Sequence, residues 1–428
     1  MAYGPRPACP PPYDNGRGTA PVEKTPYEEL GVGIRAFFDD QYRRAYDLIA
    51  AVRDPATGLY ADAYWPGPSE LRHMCSIAAV GVGLVALCIA DAEGWEVGAE
   101  AAAAASVAAA LGLDRAREPA TGYMRHFVDL RTGEPWGRSE YSSIDTALLV
   151  SGALFAARYF GAGTDVAHLA QELYDSVHWE AAIADVERGL LHMVIEEGGG
   201  GRVPARPFNE YALVAHLARR GRTSGDAAAL WERAYAPEAL GRSPQVEFGG
   251  VTVLTDAPGH LLSSFVHLFP YYLIHDYTVS PAYAEWLRRA AEVDRLYWRG
   301  RAGVPGYVWG LGAGASGEDG RGYHADAVNR CPEGIASPHI VAGFLPVHPD
   351  GIADLHAAWV AAGIAPRGAE RALASGDRPP AASFGLQRFV PDRGWAPAFV
   401  PLVDWSTMLY GPTAFRRGVG FFARNNNF

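Results

Sequence analysis

Only four of the 428 residues are cysteine, Cys9, Cys75, Cys88 and Cys331, and none sits in a CxxC pair or beside a histidine motif. This excludes a zinc site and a disulfide framework, and the thiols are expected to stay reduced. Runs of positive charge are missing as well. Thirty-seven Lys and Arg stand against 48 Asp and Glu, a formal net charge of -11, and no RRM-like or zinc-finger signature occurs. Nucleic acid is therefore not an expected partner. No stretch reads as a membrane span either. The longest apolar run, Met74 to Ala90, contains glycines and is flanked by His73 and Asp91 rather than by basic anchors, so it predicts a buried core helix. Residues 1–28 are rich in Pro and Gly but lack the basic and apolar regions of a secretory signal, which predicts a flexible N-terminal arm and a cytoplasmic protein. The Gly-rich Glu196 to Pro204 lacks GK[ST] and a preceding βαβ unit, so it is a mobile rim loop rather than a phosphate loop.

What the sequence does have is hydrophobic residues, 49% of the total, and a repeated phrase. TGLYADAYW at Thr57, TGYMRHFVDL at Thr121, RGLLHMVIEE at Arg188, FGGVTVLTD at Phe248 and PGYVWGLGA at Pro305 recur in steps of about 55–70 residues, each a short strand or loop ahead of a helix. Helical patterns lie between them: Gly33–Val52, Cys75–Ala90, Val97–Leu111, Ser143–Phe160, Asp165–Trp179, Asn209–Arg219, Asp226–Ala234, His260–His275, Pro281–Trp298, Pro349–Ala362 and Asp404–Phe415. Roughly two helices per period, carried through the chain, predict an all-α (α/α)6 toroid, six helical hairpins closed into a ring, as a single domain over residues 29–428.

Two helices carry acids where a ring would open. Ser142 and Ser143 suit the cap of a helix in which Asp145, Leu148, Leu149 and Gly152 share one stripe, so Asp145 faces the packed side. Pro207 suits a first helical turn, and Glu210 shares a stripe with Leu213, Val214 and Leu217. Glu140 precedes the first of these helices. A desolvated carboxyl holds its proton near neutrality and serves as a general acid, while a better-solvated one serves as base, so paired inward acids point to glycoside chemistry. An acid in a first turn is also favoured by the helix dipole alone, by about 0.3–1 kcal/mol, which is the competing structural account of Asp145 and Glu210. Rim segments are rich in rings, Trp136, Tyr123, Tyr307, Trp309, Tyr323, Trp395 and Trp405, and flat rings suit the apolar faces of sugars.

In order along the chain, SEYSSIDTALLVSGALFAARYF, FNEYALVAHLA, VHLFPYYLIHDY, VWGLGAGASGEDGRGY, CPEGIASPHIVAGFLPVHPD and the segment from Trp395 to Pro412 resemble the bacterial glucoamylase-like domain family, which includes the endo-β-1,2-glucanases of glycoside hydrolase family 144. The resemblance spans about Tyr42 to Phe422. It implies an (α/α)6 barrel, an inverting glycoside hydrolase without metal or other cofactor, and a carbohydrate substrate. Its functional acids are carried onto Asp145 and Glu210, with Glu140 in the same motif. Asp276 looks like the aspartate closing the family's histidine-rich helix, and Asp404 like the acid of its late segment. With Trp136, Tyr123, Trp309, Trp395 and His267 they make the expected substrate contacts. Where the family has an H-Q-Y-S-H-like run the chain has His267, Leu268, Phe269, Pro270 and Tyr271, with apolar replacements at Leu268, Phe269 and Pro270, and its late segment reads VDWSTMLYGP rather than DQGP; this implies a short or conjugated glycoside rather than long β-1,2-glucan. Other readings are a sugar epimerase or isomerase using two of His260, His267 and His275, and a non-catalytic carbohydrate-binding protein. The FFDDQYRR segment lacks the third aspartate of a magnesium-binding DDxxD, because Arg43 stands there.

Overall fold

The computed structural model describes residues 25–222, 224–367, 378–391 and 393–428. The expected arm up to Lys24, with Cys9, lies outside the described residues. From Thr25 the chain is already packed: Pro26–Glu29 form a 3-10 turn, and the Tyr27 ring lies against Phe38 while its hydroxyl donates to Asp39.

Helices follow as α1 (Val32–Ala51), α2 (Ile77–Ala92), α3 (Ala99–Leu111), α4 (Ser143–Phe160), α5 (Asp165–Asp175), α6 (Ala212–Arg219), α7 (Asp226–Leu230, continued by a π-turn to Tyr235), α8 (Phe265–Leu273), α9 (His275–Thr278), α10 (Pro281–Arg299), α11 (Pro338–Gly343), α12 (Gly351–Ala361), α13 (Leu402–Trp405), α14 (Thr407–Arg417) and α15 (Gly420–Asn425). They divide by burial. Every residue of α2 from Ile77 to Ala90 is buried, as are nearly all residues of α6, α8, α11 and α14 and most of α4. By contrast α5 buries one stripe, Val166, Ala170, Leu173 and Tyr174, and α10 likewise buries one side. A helix apolar on all sides belongs inside and an amphipathic one outside, so the Met74–Ala90 run became a core helix. No helix among the described residues is long and apolar enough to cross a membrane.

The buried helices touch in chain order: α2 meets α4, α4 meets α6, α6 meets α8, and α11 meets α14. The α2–α4 crossing depends on two glycines. A Cβ on Gly81 would strike the Leu148 carbonyl, and one on Gly152 would strike the carbonyl of Gly81. Gly81→Ala is therefore expected to destabilise the protein by about 1–3 kcal/mol through overpacking. Urea unfolding followed by circular dichroism measures this, and an unchanged midpoint would contradict the close crossing.

The repeat read from the sequence has a structural counterpart. Asp54-Pro-Ala-Thr-Gly58 and Glu118-Pro-Ala-Thr-Gly122 form the same turn: the acid accepts from the backbone N–H groups two and three residues on, and the glycine N–H returns to the acid's carbonyl at 2.8 Å in both. Gly58 and Gly122 have φ of 77° and 75°, a region that favours glycine.

Strands are short and antiparallel: β1 (Ala63–Tyr64), β2 (Met74–Ser76), β3 (Met124–Arg125), β4 (Phe127–Asp129), β5 (Tyr141–Ser142), β6 (Ile183–Asp185), β7 (Leu190–Ile195), β8 (Gly201–Ala205), β9 (Gln245–Phe248), β10 (Val251–Leu254), β11 (Ala313–Ser316), β12 (Gly322–Ala325) and β13 (Val400–Pro401). The largest sheet runs β3-β5-β7-β6 with β8 on β7, and smaller pairs join β1 to β13 and β2 to β4. Strands β2, β5 and β13 run straight into α2, α4 and α13, so the sheet side chains and the starts of these helices share one end of the fold. The Gly-rich segment expected as a mobile loop is the turn of the β7–β8 hairpin, tied down where the Gly198 N–H donates to Glu118 at 2.9 Å.

Candidate active site

Asp145 stands where the capping pattern places it. Ser142 is the N-cap of α4, its hydroxyl accepting from the Asp145 N–H and donating to the Asp145 carboxylate, and Asp145 is only 9% exposed. Glu140 precedes β5 and is about one-third exposed, 38% at its side chain. Between them stands His126, in the link from β3 to β4: Nδ1 is 3.0 Å from Glu140 and Nε2 3.4 Å from Asp145. Each ring nitrogen faces a carboxylate, so a protonated imidazole donates to both, and a neutral one donates to one and leaves the other facing a lone pair.

Glu210 differs from its expected placement. Helix α6 begins at Ala212 and Pro207 lies outside it, so Glu210 sits in the turn ahead of the helix and not on its stripe. Asn209 shapes this turn by accepting from the Tyr211 N–H at 2.9 Å. The Glu210 carboxyl is still coupled to the charge of Asp145. Burial pushes its pKa up to about 7, its own backbone N–H opposes the rise, and the charges of Asp256 and Asp145 add to it. Asp145 is raised too, by burial against the opposing effects of His126 and Ser142. Burial also acts on Glu140, but hydrogen bonds from its own N–H and from His126, with the charges of His126 and Arg202, outweigh it and leave the carboxyl below the usual range. The hydroxyl of Tyr211 is raised first by burial and then by Glu210, Asp145 and Glu140 together, which places one phenol among all three acids.

A second acid pair adjoins the first. The Leu402 N–H donates to the Asp62 carbonyl at 2.8 Å where β13 meets β1, and this pairing sets Asp62 beside the start of α13, which carries Asp404. Burial pushes Asp404 up to about 7, opposed by a hydrogen bond from Tyr323 at 3.1 Å and by Arg388, and reinforced by Asp62. Asp62 is pushed up to about 6 by burial, lowered by His126 and raised by Asp145. The four acids Asp145, Glu140, Asp62 and Asp404 thus form one electrostatically linked group, joined to Glu210 through Asp145. Sequence reasoning missed Asp62 and His126, although the repeat holds the signal: each is the sixth residue of a Thr-Gly phrase, TGLYAD and TGYMRH.

The expected substrate contacts divide. Asp404 lies in the acid group, Trp136 is half-buried in the loop before Glu140, and Trp395 is half-buried with its indole N–H on the Gly317 carbonyl. The others are elsewhere. Tyr123 is fully buried, its hydroxyl on the Trp179 carbonyl, because its position in the repeat turn points it between helices. Trp309 is 2% exposed and donates to Asp354. His267 is buried against the Phe208 ring, which pulls its pKa down to about 4. Asp276 pairs with Arg219, at the opposite end of α6 from Glu210. Leu268, Phe269 and Pro270, expected as apolar cleft residues, are buried in α8, and Leu268 packs toward Gly343. They fill the core and do not reshape a cleft.

Nor do the histidines of the epimerase reading converge. His260 pairs with Asp256, His275 with the Ala423 carbonyl, and His267 is sealed in the core. Asp39 and Asp40 of the FFDDQYRR segment are engaged by Arg416 and Arg44. Among the described residues no group of three or more His, Cys, Asp or Glu side chains is placed to hold a metal ion, and Cys75, Cys88 and Cys331 are free and buried.

No family model matches the sequence, and no curated protein matches it. Solved structures do. The endo-β-1,2-glucanase of Chitinophaga pinensis, in complex with sophorotriose and glucose, has a TM-score of 0.73 at 17% identity over 92% of this chain and 95% of that one. The β-1,2-glucanase of Parabacteroides distasonis has a TM-score of 0.71 at 16% identity over 92% of this chain and 58% of that one. A D-mannose isomerase has a TM-score of 0.56 at 11% identity over 91% of this chain and 99% of that one. At these identities the likeness is one of fold, and one fold hosts several chemistries.

Proposed function

We propose that the protein is a glycoside hydrolase, β-1,2-glucanase-like, that acts on a glucan, oligosaccharide or glycoconjugate with inversion and without a metal. Its architecture is an (α/α)6 ring with α2, α4, α6, α8, α11 and α14 inside and α1, α3, α5, α7, α10 and α12 outside, a reading supported by the burial classes and the order of contacts. One observation carries the function: Glu210, whose carboxyl burial pushes up to about 7, is coupled to the charge of Asp145, and Asp145 shares His126 with Glu140, whose carboxyl is held below the usual range by its own N–H and by His126. Glu210 donates its proton to the leaving oxygen, and Glu140 or Asp145 takes one from the attacking water. The isomerase reading has the D-mannose isomerase fold on its side, but its three candidate histidines do not meet: His260 pairs with Asp256, His275 with the Ala423 carbonyl, and His267 is buried against Phe208.

The pH dependence follows. Glu210 must be protonated, so the rate is full below about pH 7 and falls tenfold per unit above it. The base must be ionised: with Glu140 as base the acidic limb lies below the usual carboxylate range, and with Asp145, which burial raises, it lies above that range. A kcat profile that rises with pH through 7 and 8 would remove Glu210 from the acid role. Stereochemistry is a separate test. Inverting sites set their carboxyls about 6.5–9.5 Å apart, which admits water, so the first-formed product carries the anomeric configuration opposite to the substrate's. Proton NMR in the first minutes reads this, and retained configuration contradicts the mechanism. The decisive first experiment is a mass-spectrometric screen of defined oligosaccharides and glycoconjugates, in which no cleavage of any of them would favour the binding-protein reading.

A further inference from the structure

Four guanidinium groups surround one depression, although the chain as a whole is acidic. Arg188, Arg206, Arg233 and Arg242 line a cavity of roughly 300 Å³ together with Leu190, Pro207, Ala234, Ala239 and Pro244. Two acids share the lining, Glu187 and Asp256, and each has a partner: Glu187 pairs with Arg233 at 2.9 Å, and Asp256 with His260 at 2.6 Å. Arg188, Arg206 and Arg242 form no side-chain hydrogen bond or ion pair among the described residues, and all three are exposed. Four guanidinium groups against two carboxylates, both already paired, leave an excess of like charge that an anion relieves. The fork of a guanidinium matches two oxygens of a phosphate, sulfate or carboxylate. A hollow of this size suits one small anionic group rather than a polymer.

The hollow reaches the turn that carries Glu210, through Arg206 and Pro207 in its lining. Arg206 is four residues before Glu210, and its carbonyl accepts from Asn209 Nδ2 in the same turn. Asp256, on the wall of the hollow, contributes to the raised pKa of Glu210. We infer that this depression is an anionic subsite, in which Arg188, Arg206 and Arg242 hold a phosphate, sulfate or carboxylate borne by the sugar whose glycosidic bond Glu210 protonates. The inference takes its sugar from the proposed hydrolase function, but its test reads binding and not turnover.

Isothermal titration calorimetry on the full chain, with glucose, glucose 6-phosphate and inorganic phosphate as probes, tests it. The same titrations on Arg206→Ala and on the triple variant Arg188→Ala/Arg206→Ala/Arg242→Ala locate the site, with the melting temperature as a check that these exposed replacements leave the fold intact. Glucose 6-phosphate is expected to bind more tightly than glucose or inorganic phosphate, to lose about tenfold in affinity with Arg206→Ala, and to lose detectable binding in the triple variant. No binding of either phosphate compound, equal affinity in the triple variant, or inorganic phosphate binding as well as the sugar phosphate would each overturn the subsite. Because none of these probes has a glycosidic bond, their binding is independent of turnover: a failed titration removes the subsite, while the hydrolase reading stands or falls on the cleavage screen and on Glu210→Gln.

Discussion

Glu210→Gln is expected to lower kcat by about a hundredfold or more while leaving the fold and substrate affinity close to unchanged, since a positioned general acid contributes on that order. The amide keeps the size and one hydrogen-bonding oxygen of the acid but has no proton to transfer. The carboxyl is costly to ionise where it stands, against burial and the charges of Asp145 and Asp256, and the neutral amide removes that cost. The variant should therefore melt no lower than the parent above pH 7. Single-turnover kinetics on the best substrate and a thermal melt measure both quantities. Wild-type kcat in this variant would remove Glu210 from the mechanism, and lost activity with a collapsed melting curve would show a scaffold residue instead.

Arg388→Met is expected to destabilise the protein by about 3–5 kcal/mol, the loss typical of removing one partner of a buried ion pair. Arg388 is 5% exposed and its guanidinium contacts the Asp326 carboxylate, itself 3% exposed, as well as the Ala315 carbonyl at 2.7 Å and Ser337 at 3.1 Å. Methionine fills much of the volume but leaves Asp326 with His324 alone. Burial already holds Asp326 above the usual carboxylate range against the pull of Arg388. Without the arginine it takes up a proton more readily, so the loss should shrink as pH falls. The double variant Arg388→Met/Asp326→Asn should recover a large part of the stability, because the unpaired charge is gone. Urea midpoints of both variants at two pH values check this, and a single-variant loss below about 1 kcal/mol would contradict it. Activity should fall further than stability accounts for, since Arg388 also opposes the rise of Asp404.

Much of the candidate site was legible locally. Ser142 followed three residues later by Asp145 is a capping pattern, and it returned as a capped helix with its acid in the acid group. The long apolar run from Met74 to Ala90 predicts a buried helix, and from Ile77 it forms the core helix α2. Other readings failed on a local turn that periodicity does not register, or on a contact distant in sequence. Periodicity placed Glu210 inside a helix, yet the chain turns at Asn209 before α6 begins. The apolar stretch at Leu268 to Pro270 looked like a change of cleft lining, and the packing of α8 against α11 puts it in the core.

By itself the sequence determined that the helix after Met74 is buried, where α4 is capped, and which acids occur near helix starts, because hydrophobic runs and capping are properties of neighbouring residues. Only the tertiary structure decided which of those acids share a space and which of them hold protons. His126 meets Glu140 and Asp145 through strand pairing, Asp62 reaches Asp404 through the β1–β13 bridge, and Tyr123, Trp309 and Asp276 are drawn away into packing and ion pairs. Desolvation and charge coupling act over distances set by the fold and not by spacing along the chain, so the protonation of Glu210 could not be read before the helices were in place.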